Sequence, residues 1–210
     1  LYLLEHLRYY DDYVRSGEYA NSDSFCHMER KFSELSGKTW GIIGLGAIGK
    51  KVAQIATAFG CEVIYYSASG KKRSDEYRQA DLDTLLKESD IVSCHAPLNE
   101  KTYHLMDAEA FGKMKETALF INVGRGPIVN EKDLAKALKK GKIAAAGLDV
   151  LEEEPMRKDN PLRKLEVGDR LLITPHIAWA AVEARTRLLH EVYKNLKAFQ
   201  NGEKRNVCTH

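Results

Sequence analysis

Gly44-Leu45-Gly46-Ala47-Ile48-Gly49 has the spacing GxGxxG, and that spacing can hold a phosphate. Gly44 permits a tight turn, Gly46 lets the backbone approach a pyrophosphate with no side chain in the way, and Gly49 lets the following helix pack close to the sheet. A helix opening at Ala47 adds free N–H groups and the positive end of its dipole. The context agrees: Thr39-Trp-Gly-Ile-Ile-Gly reads as a short apolar strand before the turn, and Ala47 to Phe59 reads as a helix after it.

A dinucleotide turn of this kind is completed by an acidic residue at the end of the second strand. That strand, Glu62-Val-Ile-Tyr-Tyr66, leads into Ser67. A carboxylate there would accept hydrogen bonds from ribose hydroxyls and repel a 2′-phosphate, and serine does neither strongly. Ser69, Gly70, Lys71, Lys72 and Arg73 follow. Small hydroxyls followed by cations suit a 2′-phosphate. The loop predicts that NADPH is accepted; a solvated basic loop beside bound NADH is the alternative it leaves open.

Further along, chemistry-bearing side chains follow three more strand-like runs. Arg125 lies in Asn122-Val-Gly-Arg-Gly-Pro-Ile-Val, Asp149 and Glu154 lie in Gly147-Leu-Asp-Val-Leu-Glu-Glu-Glu-Pro155, and His176 lies in Ile173-Thr-Pro-His-Ile-Ala-Trp179. Ligands of an open α/β sheet sit at the carboxyl ends of its strands, so these side chains can converge although far apart in the chain.

The elements that must position them alternate. Strand-like runs at 39–43, 62–66, 91–94, 118–122, 143–148 and 171–174 are separated by helical patterns at 47–59, 82–88, 107–114 and 131–140. Residues 1–16 and 180–200 read as flanking helices, and Asp107 is placed to cap one of the inner helices. Strands alternating with helices imply βαβ units, hence an α/β fold with a doubly wound, mostly parallel sheet covered on both faces. Lys plus Arg is 32 against 30 for Asp plus Glu, and the charges are interspersed, which excludes a nucleic-acid footprint. Hydrophobic residues at 44% allow a packed core, and no apolar run reaches the ~18 residues of a membrane span. Cys26, Cys61, Cys94 and Cys208 have neither disulfide-scaffold nor metal-site spacing. They read as reduced thiols of a cytoplasmic protein, with Cys61 and Cys94 in the core, and no metal is expected.

The stretches Gly44–Gly49, Asn122–Val129, Gly147–Pro155 and Thr174–Trp179, taken in order, resemble the nucleotide-binding domain of the D-isomer-specific 2-hydroxyacid dehydrogenases, over residues 38 to about 205. His176-Ile-Ala-Trp179 is similar to the glycerate dehydrogenase and hydroxypyruvate reductase branch. The resemblance implies a Rossmann-type domain and hydride transfer between NAD(P)H and a small 2-keto or D-2-hydroxy acid of the hydroxypyruvate or glyoxylate kind. It implies that His176 is the general acid for the carbonyl oxygen, a role that a pKa of about 6.5 suits. Glu154 then fixes the imidazole tautomer, and Arg125 grips the substrate carboxylate with its planar fork. Asp149 holds the nicotinamide carboxamide and Trp179 lines the substrate end. By position it adds Ala47, Ile48, Ser67, Pro97, Thr102, Val123 and Asp149 to the cofactor contacts. Two alternatives share the pattern: a non-catalytic, NAD(H)-sensing corepressor, and a phosphoglycerate-type dehydrogenase. Formate dehydrogenases carry Gln where Glu154 stands.

The same resemblance divides the chain into a linker helix and dimerisation arm (1–37), the NAD(P)-binding domain (38–178) and a helix returning toward a substrate domain (179–210). That N-terminal substrate domain is absent from the sequence, so a fragment with weak nucleotide binding and poor turnover is expected. Tyr2, Tyr9, Tyr10, Tyr13, Tyr19 and Phe25 give residues 1–37 an aromatic load that fits a homodimer interface. His95 is expected to border the adenosine pocket; His6, His27, His104, His190 and His210 are expected at the surface or in packing.

Overall fold

The apolar runs become strands where sheet pairing and covering helices bury them, completely at Ile91–Cys94 and Ala145–Leu148 and partly at Leu171–Ile173. In the computed structural model, which describes residues 1–208, the strands are β1 (Thr39–Ile43), β2 (Glu62–Tyr66), β3 (Arg78–Gln79), β4 (Ile91–Cys94), β5 (Leu119–Asn122), β6 (Ala145–Leu148) and β7 (Leu171–Ile173). They form one parallel sheet in the order β3-β2-β1-β4-β5-β6-β7. The helices are α1 (Leu7–Arg15), α2 (Ala47–Ala58), α3 (Leu82–Glu88), α4 (Ala108–Lys113), α5 (Glu131–Lys139) and α6 (Val182–Gln200). His210 lies outside the described residues.

Side chains alternate across the sheet. Ile43, Val92, Cys94, Phe120, Ala146 and Leu148 meet Leu85 and Leu86 of α3, Phe111 of α4, and Leu134 and Leu138 of α5 in the main core. The intervening residues face the other way: Ile42 and Tyr65 pack on Ala53 of α2, while Ile91, Leu119 and Ala145 pack on Leu3. This is the doubly wound arrangement expected of alternating elements, and burial of each large aliphatic side chain contributes about 1.5–3 kcal/mol.

Two local expectations need correction. The first helix begins at Leu7 rather than at the start of the chain, because His6 is left-handed (φ 53°) and its Nδ1 lies 2.7 Å from Asp169 Oδ2. The edge strand β3 was not expected at all. Its two residues are polar and exposed, so no apolar pattern announces it, and backbone pairing to β2 alone makes it. Asp107 does cap α4, accepting from Ala110 N–H at 2.9 Å.

By its internal contacts the chain divides after Thr174, and residues 1–37 fall within the first unit. Within the arm Tyr13 stacks on His27 at 3.8 Å, and Tyr9 Oη lies 2.8 Å from His27 Nε2, whereas Phe25 is 91% exposed. The second unit, from Pro175, is a turn followed by α6, on which Leu188, Leu189, Val192, Tyr193, Leu196 and Phe199 are exposed. Among the described residues no helix is long and apolar enough to cross a membrane, and no group of three or more His, Cys, Asp or Glu could hold a metal.

Gly41 of β1 marks the tightest helix–sheet contact. A Cβ there would lie 2.7 Å from Leu85 Cδ2 and would also strike Ser89 Oγ. Gly41→Ala should therefore cost about 1–3 kcal/mol by overpacking, read as a lower urea midpoint at unchanged m-value.

Candidate cofactor cleft and active site

The strand order reverses between β1 and β4, and the carboxyl ends there leave a crevice. Gly44 is left-handed (φ 94°), and a Cβ on it would lie 2.7 Å from Ala96 Cα in the loop after β4. A Cβ on Gly49 would run into the carbonyl of Gly44. Gly46 is different, since a Cβ on it would meet no protein atom. Packing does not demand glycine there; its bareness keeps the crevice open. The helices α3, α4 and α5 are capped by the side chains of Asp81, Asp107 and Asn130, but α2 has no side-chain cap. Its first-turn N–H groups are thus left for an anion, and the residues present fit a dinucleotide pyrophosphate.

The crevice holds about 500 Å³ and is lined by Gly44, Leu45 and Gly46, by Ser67, Ala68, Ser69 and Arg73 after β2, and by His95, Ala96, Pro97, Asn99, Glu100, Lys101 and Thr102 after β4. Ser67 is buried, with its Oγ 3.1 Å from Ser69 Oγ, and Arg73 Nη2 donates to Ser69 Oγ at 3.4 Å. Of the three cations expected to matter in this loop only Arg73 lines the crevice; Lys72 pairs with Asp75. Thr102 also lines it, yet its hydroxyl serves the loop itself, accepting from Asn99 N–H at 2.8 Å and donating to Pro97 O at 2.7 Å. His95 borders this crevice as expected. Burial pushes its imidazole down to about 4, so it is neutral at physiological pH. Trp40 Nε1 donates to Ser93 Oγ at 2.9 Å, and Ser93 Oγ lies 3.1 Å from His95 Nε2. Nδ1 is buried and has no hydrogen-bond partner among the described residues. Cys94 beneath it is an inert thiol, pushed up to about 11 by burial.

A second hollow of about 460 Å³ shares His95, Ala96 and Pro97 and adds Ile48, Leu98, Val123, Gly124 and Arg125. Arg125 is exposed, and Asn122 shapes its loop: the buried amide donates to Arg125 O and accepts from Gly124 N–H, each at 3.0 Å. Gly126 then lies backbone to backbone against the next loop, for a Cβ would collide with the Leu151 carbonyl and approach Glu152 N to 2.6 Å. That next loop carries Glu154, whose Oε1 accepts from Leu151 N–H at 2.8 Å. Glu152, two residues before Glu154, clasps α5. Its Oε1 accepts from Glu131 N–H at 2.7 Å, and Glu131 Oε1 accepts from Glu152 N–H at 2.8 Å. Burial, and then the Glu152 charge, hold the Glu131 carboxyl above its ordinary range. Asp149 is buried, with its N–H on Asn122 O at 3.0 Å and its Oδ1 accepting from the Thr174 hydroxyl at 2.6 Å.

The first unit therefore brings the Arg125, Asp149 and Glu154 segments together, alongside the expected cofactor positions. His176 and Trp179 open the second unit. His176 is left-handed (φ 55°), a conformation that costs a non-glycine residue about 1 kcal/mol or more, and Trp179 Nε1 donates to its carbonyl at 2.9 Å. Asn122, Gly126 and Glu152 were not singled out beforehand. A glycine directly after a chemistry-bearing arginine is a close-approach signal that could have found Gly126.

Residues 1–178 match the family model described as D-isomer specific 2-hydroxyacid dehydrogenase, NAD binding domain, and the chain belongs to that family. It is 38% identical over 209 residues to a hydroxypyruvate reductase of Blautia hydrogenotrophica, covering 99% of this chain and 64% of that protein. It is 42% identical over 196 residues to a glyoxylate reductase of Korarchaeum cryptofilum, covering 92% and 58% respectively. Among solved structures it is similar to an acyclic imino acid reductase in complex with NADPH and D-arginine (TM-score 0.87, 33% identity, 99% of this chain and 64% of that one). It is also similar to the D-lactate dehydrogenase of Aquifex aeolicus complexed with NAD and lactic acid (TM-score 0.84, 34% identity, 96% and 63%). The chain thus spans about 60% of the length of these relatives.

The depressed His95 pKa has a consequence for stability. Between about 4 and the ordinary value of 6.5 the unfolded chain binds a proton that the folded one refuses, so stability rises with pH across that window and is fully present above 6.5. Urea titrations from pH 7 down to 4.5 should show a loss of about 3 kcal/mol at most from this group. A His95→Gln variant should lose correspondingly less than the wild type.

Proposed function

We propose that the intact protein reduces a small 2-keto acid to the D-2-hydroxy acid, and runs the reverse reaction, with NADPH or NADH. One observation carries the reading: the uncapped N-terminus of α2 opens on a crevice at the switch point, beside the fastened loops of Arg125 and Glu154. The nicotinamide, when bound, supplies or takes up the hydride. Arg125 binds the substrate carboxylate and draws electron density from the adjacent carbonyl. His176 gives its proton to the carbonyl oxygen and recovers one in reverse. Glu154 accepts from the other imidazole nitrogen and favours the charged form, Asp149 holds the carboxamide, and Trp179 borders the substrate. Gly44, Gly46, Ala47, Ile48 and Gly49 seat the pyrophosphate, while Pro97, Thr102 and Val123 wall the nucleotide. The relatives named for hydroxypyruvate and glyoxylate support a small polar acid as substrate.

NADPH acceptance rests on Ser67, Ser69 and Arg73, with no carboxylate following β2 to repel a 2′-phosphate. Residues 1–37 serve a homodimer in this reading, with Phe25, Met28 and Phe32 as exposed apolar contacts; residues 38–178 hold the cofactor, and the helix from 179 onward serves a second, substrate-closing domain. The unpaired thiols Cys26, Cys61, Cys94 and Cys208 favour the cytoplasm.

A panel of 2-keto acids assayed with both cofactors tests the proposal. Oxidation of NADPH with hydroxypyruvate or glyoxylate is expected; no turnover with any member would overturn it, and a tenfold or larger kcat/KM advantage for NADH would show that the Ser67–Arg73 loop confers no preference for NADPH. His176→Ala should lower kcat by about 10²–10⁴ while leaving nucleotide affinity unchanged. Light scattering at micromolar concentration should give a dimer mass, and a clean monomer would remove the interface.

A further inference from the structure

Tyr65 is fully buried among Ile42, Leu45 and Ala53, yet its hydroxyl emerges beneath the loop that leads from β2 into the cofactor crevice. It accepts from Arg73 N–H at 2.9 Å and donates to Gln79 Oε1 at 3.1 Å. Gln79, its register partner on β3, donates from Nε2 to Gly70 O at 3.3 Å. The loop is thus held at Gly70 and Arg73 by two side chains, one rooted in the core. The loop's other bonds are internal to it, Gly70 N–H to Ser67 O at 2.8 Å and Lys71 N–H to Ser69 Oγ at 3.4 Å, while Gly70 is left-handed (φ 71°) with open space around it and Lys72 is turned onto Asp75. With Tyr65 and Gln79 in place, the Arg73 guanidinium stands over the Ser67–Ser69 hydroxyl pair at the crevice wall.

We propose that Tyr65 and Gln79 are positioning residues for cofactor discrimination, bracing the loop so that Arg73, Ser67 and Ser69 are already arranged to receive a phosphomonoester on the ribose. The inference rests on the reading that NADPH is accepted. The physical reason is preorganisation: a loop ordered before binding spares the ligand the entropy of ordering it.

The test is calorimetric titration of the intact protein with adenosine 2′,5′-bisphosphate and with AMP, which differ only in the 2′-phosphate. The wild type should bind the bisphosphate more tightly. Tyr65→Phe removes both bonds of the hydroxyl, and losing the one to the Arg73 N–H should cut that preference by about three- to tenfold, with AMP affinity unmoved. In steady-state assays the KM for NADPH should rise while that for NADH holds. Gln79→Ala, at an exposed position, should act in the same direction and decides the matter alone if Tyr65→Phe does not fold. A preference unchanged in both variants overturns the brace, as does an equal loss for both nucleotides, which would mark a general structural role. A wild type with no preference overturns the NADPH reading itself, and the brace with it.

Discussion

Every strand of the sheet runs the same way, so every strand-to-helix loop emerges on one edge. The rest of the molecule depends on that constraint. It gathers Gly44, Ser67, His95, Arg125 and Asp149 from the connections after β1, β2, β4, β5 and β6 without any side chain having to reach across the core. The reversal of order between β1 and β4 then splits the loops to either side and leaves a crevice. Where the helices of the opposite face close their own N-termini with Asp81, Asp107 and Asn130, α2 leaves its end bare. Among the helices that cover the sheet, the one facing the crevice keeps its first N–H groups free of a side-chain cap.

Precision at the second hollow comes from backbone more than from side chains. Arg125 and Glu154 are both exposed, and exposed long side chains are poor at holding one another. Their loops are registered instead by the Gly126–Leu151 contact, the Asn122 amide and the reciprocal Glu131–Glu152 pair. The reciprocal pair also accounts for a carboxyl group buried at Glu131, where Asn160 Nδ2 satisfies the remaining oxygen at 2.6 Å. Buried polar groups that are fully partnered stiffen a site; half-partnered ones would loosen it.

The turn at Gly44–Gly49, β2, β4 and α3 were legible in the sequence because each carries a local signal: an apolar run of strand length, a helical period, or a glycine spacing with one physical explanation. What was not legible is what depends on partners distant in sequence. His6 interrupts the first helix through a contact with Asp169, 163 residues away, and Glu152 finds Glu131 across 21 residues. β3 has no pattern of its own to read. The basic run after β2 looked like three equivalent cations, yet Asp75 takes Lys72, so that Arg73 alone of the three reaches the crevice. The positions expected to bear chemistry were recognisable by type; the residues that hold them in place, Asn122, Gly126 and Tyr65, were not, since amides, glycines and buried phenols serve packing far more often.

The neutral state of His95 bears on what kind of ligand the crevice can select. A charged imidazole there would attract any anion, whichever end of a nucleotide it belonged to. Held neutral by burial, it offers at Nδ1 only an uncharged hydrogen-bonding atom. The favourable terms for negative charge are thereby divided between two separated places, the dipole end of α2 and the Arg73 guanidinium. A dinucleotide phosphorylated on its ribose likewise carries negative charge at two points, the pyrophosphate and the ribose phosphate. In the proposed reading, selectivity for such a molecule over a simple phosphate comes from two anion-favouring places rather than one, and β2 joins the loop that carries Arg73 to the sheet.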